Sequence, residues 1–279
     1  MSLGLFSLTL FTAAVGAGML GALVGIGGGI LIVPLLTIGF GFDIRVAIGA
    51  SIVSVIATSS GAAAAYVRDH LTNIRIGMLL ELATTIGAVS GAIVAGLLNA
   101  RILFLLFGVI LVISLIPMLK KLGSHTETMV ENDRLADFFR LSSTYPEADG
   151  TAVAYGVKGV PVGFALMYVA GLVSGLLGIG SGTLKVLAMD TAMGLPIKVS
   201  SATSNFMIGV TAAASAGIYF WRGDVTAVVA GPVAVGVLLG ATLGARFLVS
   251  FRSETIRLLF IAVLASVSVE MLLRGGGVA

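Results

Sequence analysis

The chain has 279 residues, of which 58% are hydrophobic and only 10% charged, with a mean hydropathy of +1.12. Ordinary soluble proteins carry about 25% charged residues, so a soluble globular enzyme or a nucleic-acid-binding domain is excluded. The net charge of +3 reads as basic loops that orient a protein in the lipid bilayer.

There is no cysteine, which removes disulfides, thiolate catalysis and cysteine metal sites. His70 and His125 lie in polar stretches, where neither is expected to ligate a metal. No cofactor is expected. Apolar runs near 20 residues recur along the chain, each about enough to cross a hydrocarbon core of roughly 30 Å. They lack the strict alternation of a membrane β-barrel, so the expected class is an all-α polytopic membrane protein.

The N-terminus has no basic segment and enters an apolar run at once, so residues 3–24 read as a retained first span rather than a cleaved signal. Gly25-Ile26-Gly27-Gly28-Gly29 follows. Each glycine costs a helix interior roughly 1 kcal/mol relative to alanine, so the cluster predicts a broken helix. Residues 30–42 then form a short apolar element, too short for a full crossing at 1.5 Å per residue. Pro34 falls near its expected start, where a first turn tolerates it. Spans are predicted over 46–67, 76–98 and 102–119. The polar stretch 120–158 holds 11 of the 29 charged residues. It reads as a solvated linker, with an amphipathic helix over 126–141 as the alternative. Further spans are predicted over 160–177, 199–221, 225–249 and 256–273, with a second short element over 183–195.

The second short element follows a second break, Gly178-Ile179-Gly180-Ser181-Gly182, 153 residues after the first. The spacing also pairs Ser51 with Ser204, Thr58 with Thr211, Tyr66 with Tyr219, Gly87 with Gly240 and Gly91 with Gly244. An ungapped match over some 70 residues reads as an internal duplication. The expected organisation is therefore a first repeat over 1–119, a linker over 120–158 and a second repeat over 159–279. In all there would be about 8 full spans plus 2 short broken or re-entrant elements. If the short elements cross, the halves are inverted; if they are re-entrant, the halves are parallel. The Lys/Arg distribution is slightly cleaner for crossing elements, and in both cases the linker falls on the basic, cytoplasmic side.

Broken membrane helices survive only where protein or a cavity covers their free backbone groups. A matched pair of breaks is the strongest sequence pointer to a transport site. The helix starts after the breaks present free N–H groups to an anion. Gly27, Gly28 and Gly29 would supply one side of such a site, and Gly180, Ser181, Gly182 and Thr183 the other. Close helix packing is the competing explanation of the glycines.

Lys185 is a cation inside an apolar element, a substrate-site candidate by default. Snorkelling or a pair with Asp190 is its alternative. Ser51, Ser204 and Asn205 could add hydrogen bonds or merely join helices. Glu81, whose partner at the 153-residue spacing is Ala234, is a candidate for proton coupling or an interfacial carboxylate. No nucleophile–base pair is present, and the first break lacks the Gly-Lys-Ser/Thr of a phosphate loop. An enzyme is not expected.

The run Gly25-Ile26-Gly27-Gly28-Gly29-Ile30-Leu31-Ile32-Val33-Pro34-Leu35-Leu36, followed by Gly49-Ala50-Ser51, resembles the TauE/SafE sulfite exporter family, the TSUP permeases. Its second copy fits that family's duplicated organisation, and the resemblance covers residues 10–272 without the linker. It implies a bacterial inner-membrane carrier, usually with seven or eight spans, that exports sulfite, sulfoacetate or a related organosulfonate. An anion-channel-like pore and a non-transporting membrane sensor are the alternatives, and a homodimer is left open. The second copy departs from the first at Lys185 in place of Ile32 and Leu187 in place of Pro34, so its two half-sites are not chemically equivalent.

Overall fold

The computed structural model describes residues 3–24, 29–68, 70–119, 132–146, 151–247 and 253–277. The elements are α1 (Leu3–Val24), α2 (Gly29–Pro34), α3 (Ile44–Arg68), α4 (Ile74–Leu97), α5 (Ala100–Leu119) and α6 (Arg134–Phe138). After the strands β1 (Ser143–Pro146) and β2 (Ala152–Tyr155) come α7 (Val160–Leu177), α8 (Gly182–Leu187), α9 (Ile197–Arg222), α10 (Ala227–Phe247) and α11 (Ser253–Gly276). The protein is mostly helical. Three stretches, Gly4–Gly21, Ile74–Leu97 and Val160–Leu177, are by themselves long and apolar enough to cross a membrane.

Each six-residue helix, α2 and α8, runs into a π-helical turn, Leu35–Gly39 and Ala188–Ala192. Pro34 lies at the last residue of α2 and not in its first turn, because that helix already starts at Gly29. Proline does not cause the π turns, since Leu187 precedes the second. The Thr37 hydroxyl donates to the Val33 carbonyl at 2.9 Å and so satisfies an acceptor near the irregular turn.

The closest helix pairs are α1 with α10, α4 with α7, α5 with α11, and α3 with α9. Glycines let backbones touch along two of them. A methyl on Gly87 would strike the Tyr168 carbonyl, and one on Gly240 would strike the Val15 carbonyl. These two contacts lie 153 residues apart on both partners. The order of contacts along each pair fixes helix direction. Gly49 at the start of α3 abuts Asp224 after the end of α9, so α3 and α9 run antiparallel. Gly87 and Gly91 meet Tyr168 and Leu172 in ascending order, so α4 and α7 run parallel. The end of the second short element returns to the start of α7, where the Lys158 N–H donates to the Met193 carbonyl at 3.1 Å.

The linker differs from the expected solvated segment. Its residues 120–131 and 147–150 lie outside the described residues, and within the described part of the predicted 126–141 helix a helix forms over Arg134–Phe138. Asp133 caps that helix, accepting from the Ala136 N–H at 2.7 Å, and also accepts from the Val160 N–H at 3.2 Å. β1 and β2 pair antiparallel, Ser143 opposite Tyr155. Leu141, Tyr145, Tyr155 and Val157 are buried against Met167, Met189, Met193 and Met207. Such apolar burial is what ties a charged segment down. Asn73 caps α4 and fastens the hairpin, donating from Nδ2 to the Leu141 carbonyl and the Tyr155 hydroxyl, both at 2.8 Å.

At the opposite end, Arg222 donates from Nη1 to the Ala92 carbonyl at 2.6 Å and stacks 4.5 Å from the Tyr219 ring centre. Arg45 donates to the Leu98 carbonyl at 2.6 Å. Arg45 thus satisfies the carbonyl of the residue that caps α4.

Candidate functional site

The second break is built from left-handed residues. Gly178, Gly180 and Ser181 have φ of 68°, 76° and 45°. Gly178 ends α7 in the conformation that suits a glycine C-terminal cap, and α8 starts at Gly182. Ser181 must adopt the strained conformation as a non-glycine residue. Its hydroxyl is 3% exposed at the residue level and has no hydrogen-bond partner among the described residues.

The helix after each break holds the break in place. The Ser51 hydroxyl lies 2.8 Å from the Gly178 carbonyl and 3.0 Å from that of Gly29, and donates its single proton between them. At the repeat spacing, the Ser204 hydroxyl donates to the Gly182 carbonyl at 3.2 Å. The two breaks are therefore tied together by Ser51. Gly29 is buried against Val55, Ser51 and Gly178. Gly27 and Gly28 lie outside the described residues. Thr183 is half-buried at the start of α8, and Asn205 donates within its own helix to the Ser201 carbonyl at 3.0 Å.

Lys185 is 0% exposed. Its Nζ donates to the Thr211 hydroxyl at 2.6 Å. An ammonium can only donate, so Thr211 must accept there and turn its own proton elsewhere. Glu81 Oε1 lies 2.8 Å from that hydroxyl, and the Met207 carbonyl also lies at 2.8 Å. Thr85 donates a second bond to Oε1 at 3.1 Å. Glu81 Oε2 is buried without a partner among the described residues. The result is a chain from α8 through α9 to α4, cation to hydroxyl to carboxylate. Burying either charge alone is costly, and each offsets the other.

Glu81 is thus a buried counter-charge, 7% exposed, rather than an interfacial carboxylate. Lys185 neither snorkels nor hydrogen-bonds Asp190. Thr211 was not singled out by sequence as a site residue. Its signal was present nonetheless, because Ser200, Ser204, Thr211 and Ser215 form a buried polar stripe on α9 at helical spacing. The Lys185–Thr211–Glu81 chain has no ionic counterpart at the repeat-related positions, where Ile32 and Thr58 of the first half match Lys185 and Thr211, and Ala234 of the second half matches Glu81.

The decisive geometry is the buried chain from Lys185 on α8 through Thr211 to Glu81, with α8's break tied to the start of α2 by Ser51. The family described as sulfite exporter TauE/SafE matches residues 10–271. The chain belongs to the TauE/SafE family. This TauE/SafE chain is also similar to two proteins of Bacillus subtilis (strain 168). It is 28% identical to the probable membrane transporter protein YunE over 266 residues, 93% of this chain and 94% of that one. It is 29% identical to the probable membrane transporter protein YdhB over 231 residues, 82% of this chain and 85% of that one. No solved structure matches. With its family and relatives, the TauE/SafE chain is a membrane transporter.

Proposed function

We propose that the protein is a secondary carrier that exports a small sulfur oxyanion or sulfonate, such as sulfite or sulfoacetate, across the cytoplasmic membrane by alternating access. The observation that carries this reading is Lys185. It is fully buried, gives one of its three donors to Thr211, and sits one turn from the unpartnered Ser181 hydroxyl. The free donors of the ammonium and that hydroxyl suit an oxyanion. The two six-residue helices contribute little dipole field, because the effect is confined to a terminal turn and scales with aligned peptide units. Specific side chains therefore carry the recognition.

The helix directions support an inverted two-repeat architecture of 1–119 and 159–279, with eight full spans and two short elements. Antiparallel α3 and α9 fit it, as does the return of the second short element to the start of α7. In this arrangement Arg68, Arg75, Arg134, Arg140, Lys158 and Lys198 share the linker end, and Arg45, Arg101, Arg222 and Arg274 the other. Lys120 and Lys121 follow α5 and add to the linker end. The bias supports a cytoplasmic linker.

Because α1 packs on α10 and α4 on α7, the halves interlock, and the moving unit in this reading is the pair of short helices with their flanking helices. The test is transport by purified protein in proteoliposomes with sulfite, thiosulfate, sulfoacetate, taurine and sulfate. Saturable counterflow of at least one sulfur anion, lost in Lys185→Ala, is the expected result. Full transport in Lys185→Ala would remove the lysine from the site, and non-saturating flux would favour a pore.

A further inference from the structure

We propose that Glu81 and the transported anion compete for Lys185, so that each anion bound brings one proton onto Glu81 and the two cross the membrane together. The proposal rests on the reading that a sulfur anion binds at Lys185. Glu81 is then a gating counter-ion, and Thr211 a positioning residue that holds carboxylate and ammonium in register.

The argument is one of charge and geometry. Thr211 links Lys185 at 2.6 Å to Glu81 at 2.8 Å. Other charges are remote from this pair. Along its whole length α7 carries no carboxylate or cation, only the Tyr168 phenol, and the ionisable groups of α9 (Lys198, Tyr219 and Arg222) lie near its two ends. Asp190 lies past α8, within the π turn. Hence Lys185 and Glu81 are each other's counter-ion. A second anion brought to the same ammonium leaves one negative charge uncompensated inside the membrane, which is strongly unfavourable. Protonation of the Glu81 carboxylate relieves this. The proton comes from water on the open side and makes the neutral acid, while the anion takes the carboxylate's place as the counter-charge of Lys185.

Glu81 Oε2, buried without a partner, is the oxygen available for that proton. For a monovalent sulfonate, the empty site (ammonium, carboxylate) and the loaded site (ammonium, neutral acid, anion) both sum to zero. Either can cross without moving net charge through the membrane field. The repeat-related positions hold no second pair, since Ile32 and Ala234 match Lys185 and Glu81, so the single pair between the halves sets the stoichiometry at one proton and one anion.

The test measures binding of methanesulfonate and of thiosulfate, whose charges do not change over the range used, to the purified full chain between about pH 5.5 and 8.5. Proton uptake in weak buffer is recorded alongside. The bound state holds a proton that the empty state lacks, so affinity should weaken about tenfold per pH unit once the empty site's Glu81 is ionised. One proton should be taken up per anion. Glu81→Gln should take up no proton at residue 81, so its affinity should be flat with pH wherever the Lys185 ammonium persists, and Thr211→Val should weaken binding more than Thr211→Ser. In proteoliposomes an imposed pH gradient should drive methanesulfonate movement, and an imposed potential should not.

Binding that needs Lys185 but shows neither proton uptake nor a pH slope would overturn the competition and leave the carrier reading standing. Failure of the wild-type protein to bind either anion would overturn both. Proton uptake is read on the wild-type protein, so a variant that fails to fold does not decide the matter.

Discussion

The hydroxyl of Ser51 lies 2.8 Å from the carbonyl of Gly178, a residue 127 positions away, and joins the two broken helices. The same proton is shared with the Gly29 carbonyl at 3.0 Å. Ser51→Ala leaves both buried carbonyls without this donor. Each unmet buried group costs about 1–3 kcal/mol. Ser51→Ala is therefore expected to lower the melting temperature in detergent and to depress transport, with Ser204→Ala milder because its single bond is longer at 3.2 Å. A Ser51→Ala protein that melts like wild type would remove Ser51 as the tie between the breaks.

Lys185 and Glu81 should show strong coupling in a double-mutant cycle. Lys185→Met strands the buried carboxylate, a loss of about 3–5 kcal/mol for a broken buried pair. Adding Glu81→Gln should recover most of that stability while leaving transport absent. Thermal melting gives the first quantity and proteoliposome flux the second. Additive single effects would mean that the pair does not interact.

The crossing of α4 on α7 depends on two bare backbones. Gly87→Ala drives its methyl into the Tyr168 carbonyl, and overpacking of this kind costs about 1–3 kcal/mol. Gly217 is the control, because nothing lies within 4 Å of a methyl placed there. Gly217→Ala should be neutral or stabilise the helix by up to about 1 kcal/mol. Melting temperatures that move the same way in both variants would contradict the close-approach account.

The linker hairpin should come loose in alkali. Tyr155, outside the membrane-spanning helices, is buried, and burial holds its phenol above the ordinary value of 10.0. The docked hairpin thus favours the neutral phenol. Its contribution is complete below pH 10.0 and is lost as pH rises through the higher docked value. Hydrogen exchange over β1 and β2, corrected for intrinsic rates, should hold steady near neutrality and rise in alkali. Tyr155→Phe should remove the alkaline step. Asn73→Ala, which deletes two 2.8 Å bonds to the hairpin, should accelerate exchange at every pH, by about 1 kcal/mol per bond.

Local chemistry is legible in the sequence itself. Hydropathy is a property of runs, so the membrane class and most helix limits could be read directly. Glycine's cost to a helix is likewise local, and the broken element after residue 177 stands where Gly178 to Gly182 placed it. A buried cation is conspicuous in an apolar element, which is why Lys185 stood out. Charge density in the linker hides four apolar residues, Leu141, Tyr145, Tyr155 and Val157, that the fold buries beside its β-hairpin.

What tertiary structure alone decided was partnership. Sequence offered Lys185 the nearby Asp190. The fold instead reaches forward to Thr211 on α9 and then back 130 residues to Glu81 on α4. Likewise Ser51 was a candidate substrate ligand by composition, and the fold commits its proton to two glycine carbonyls. The physical reason is the same in both cases. A break, a charge and a hydropathy run are written in neighbouring residues. The counter-ion of a buried charge is set by which helices cross, and those crossings depend on glycines such as Gly87 meeting backbone far along the chain.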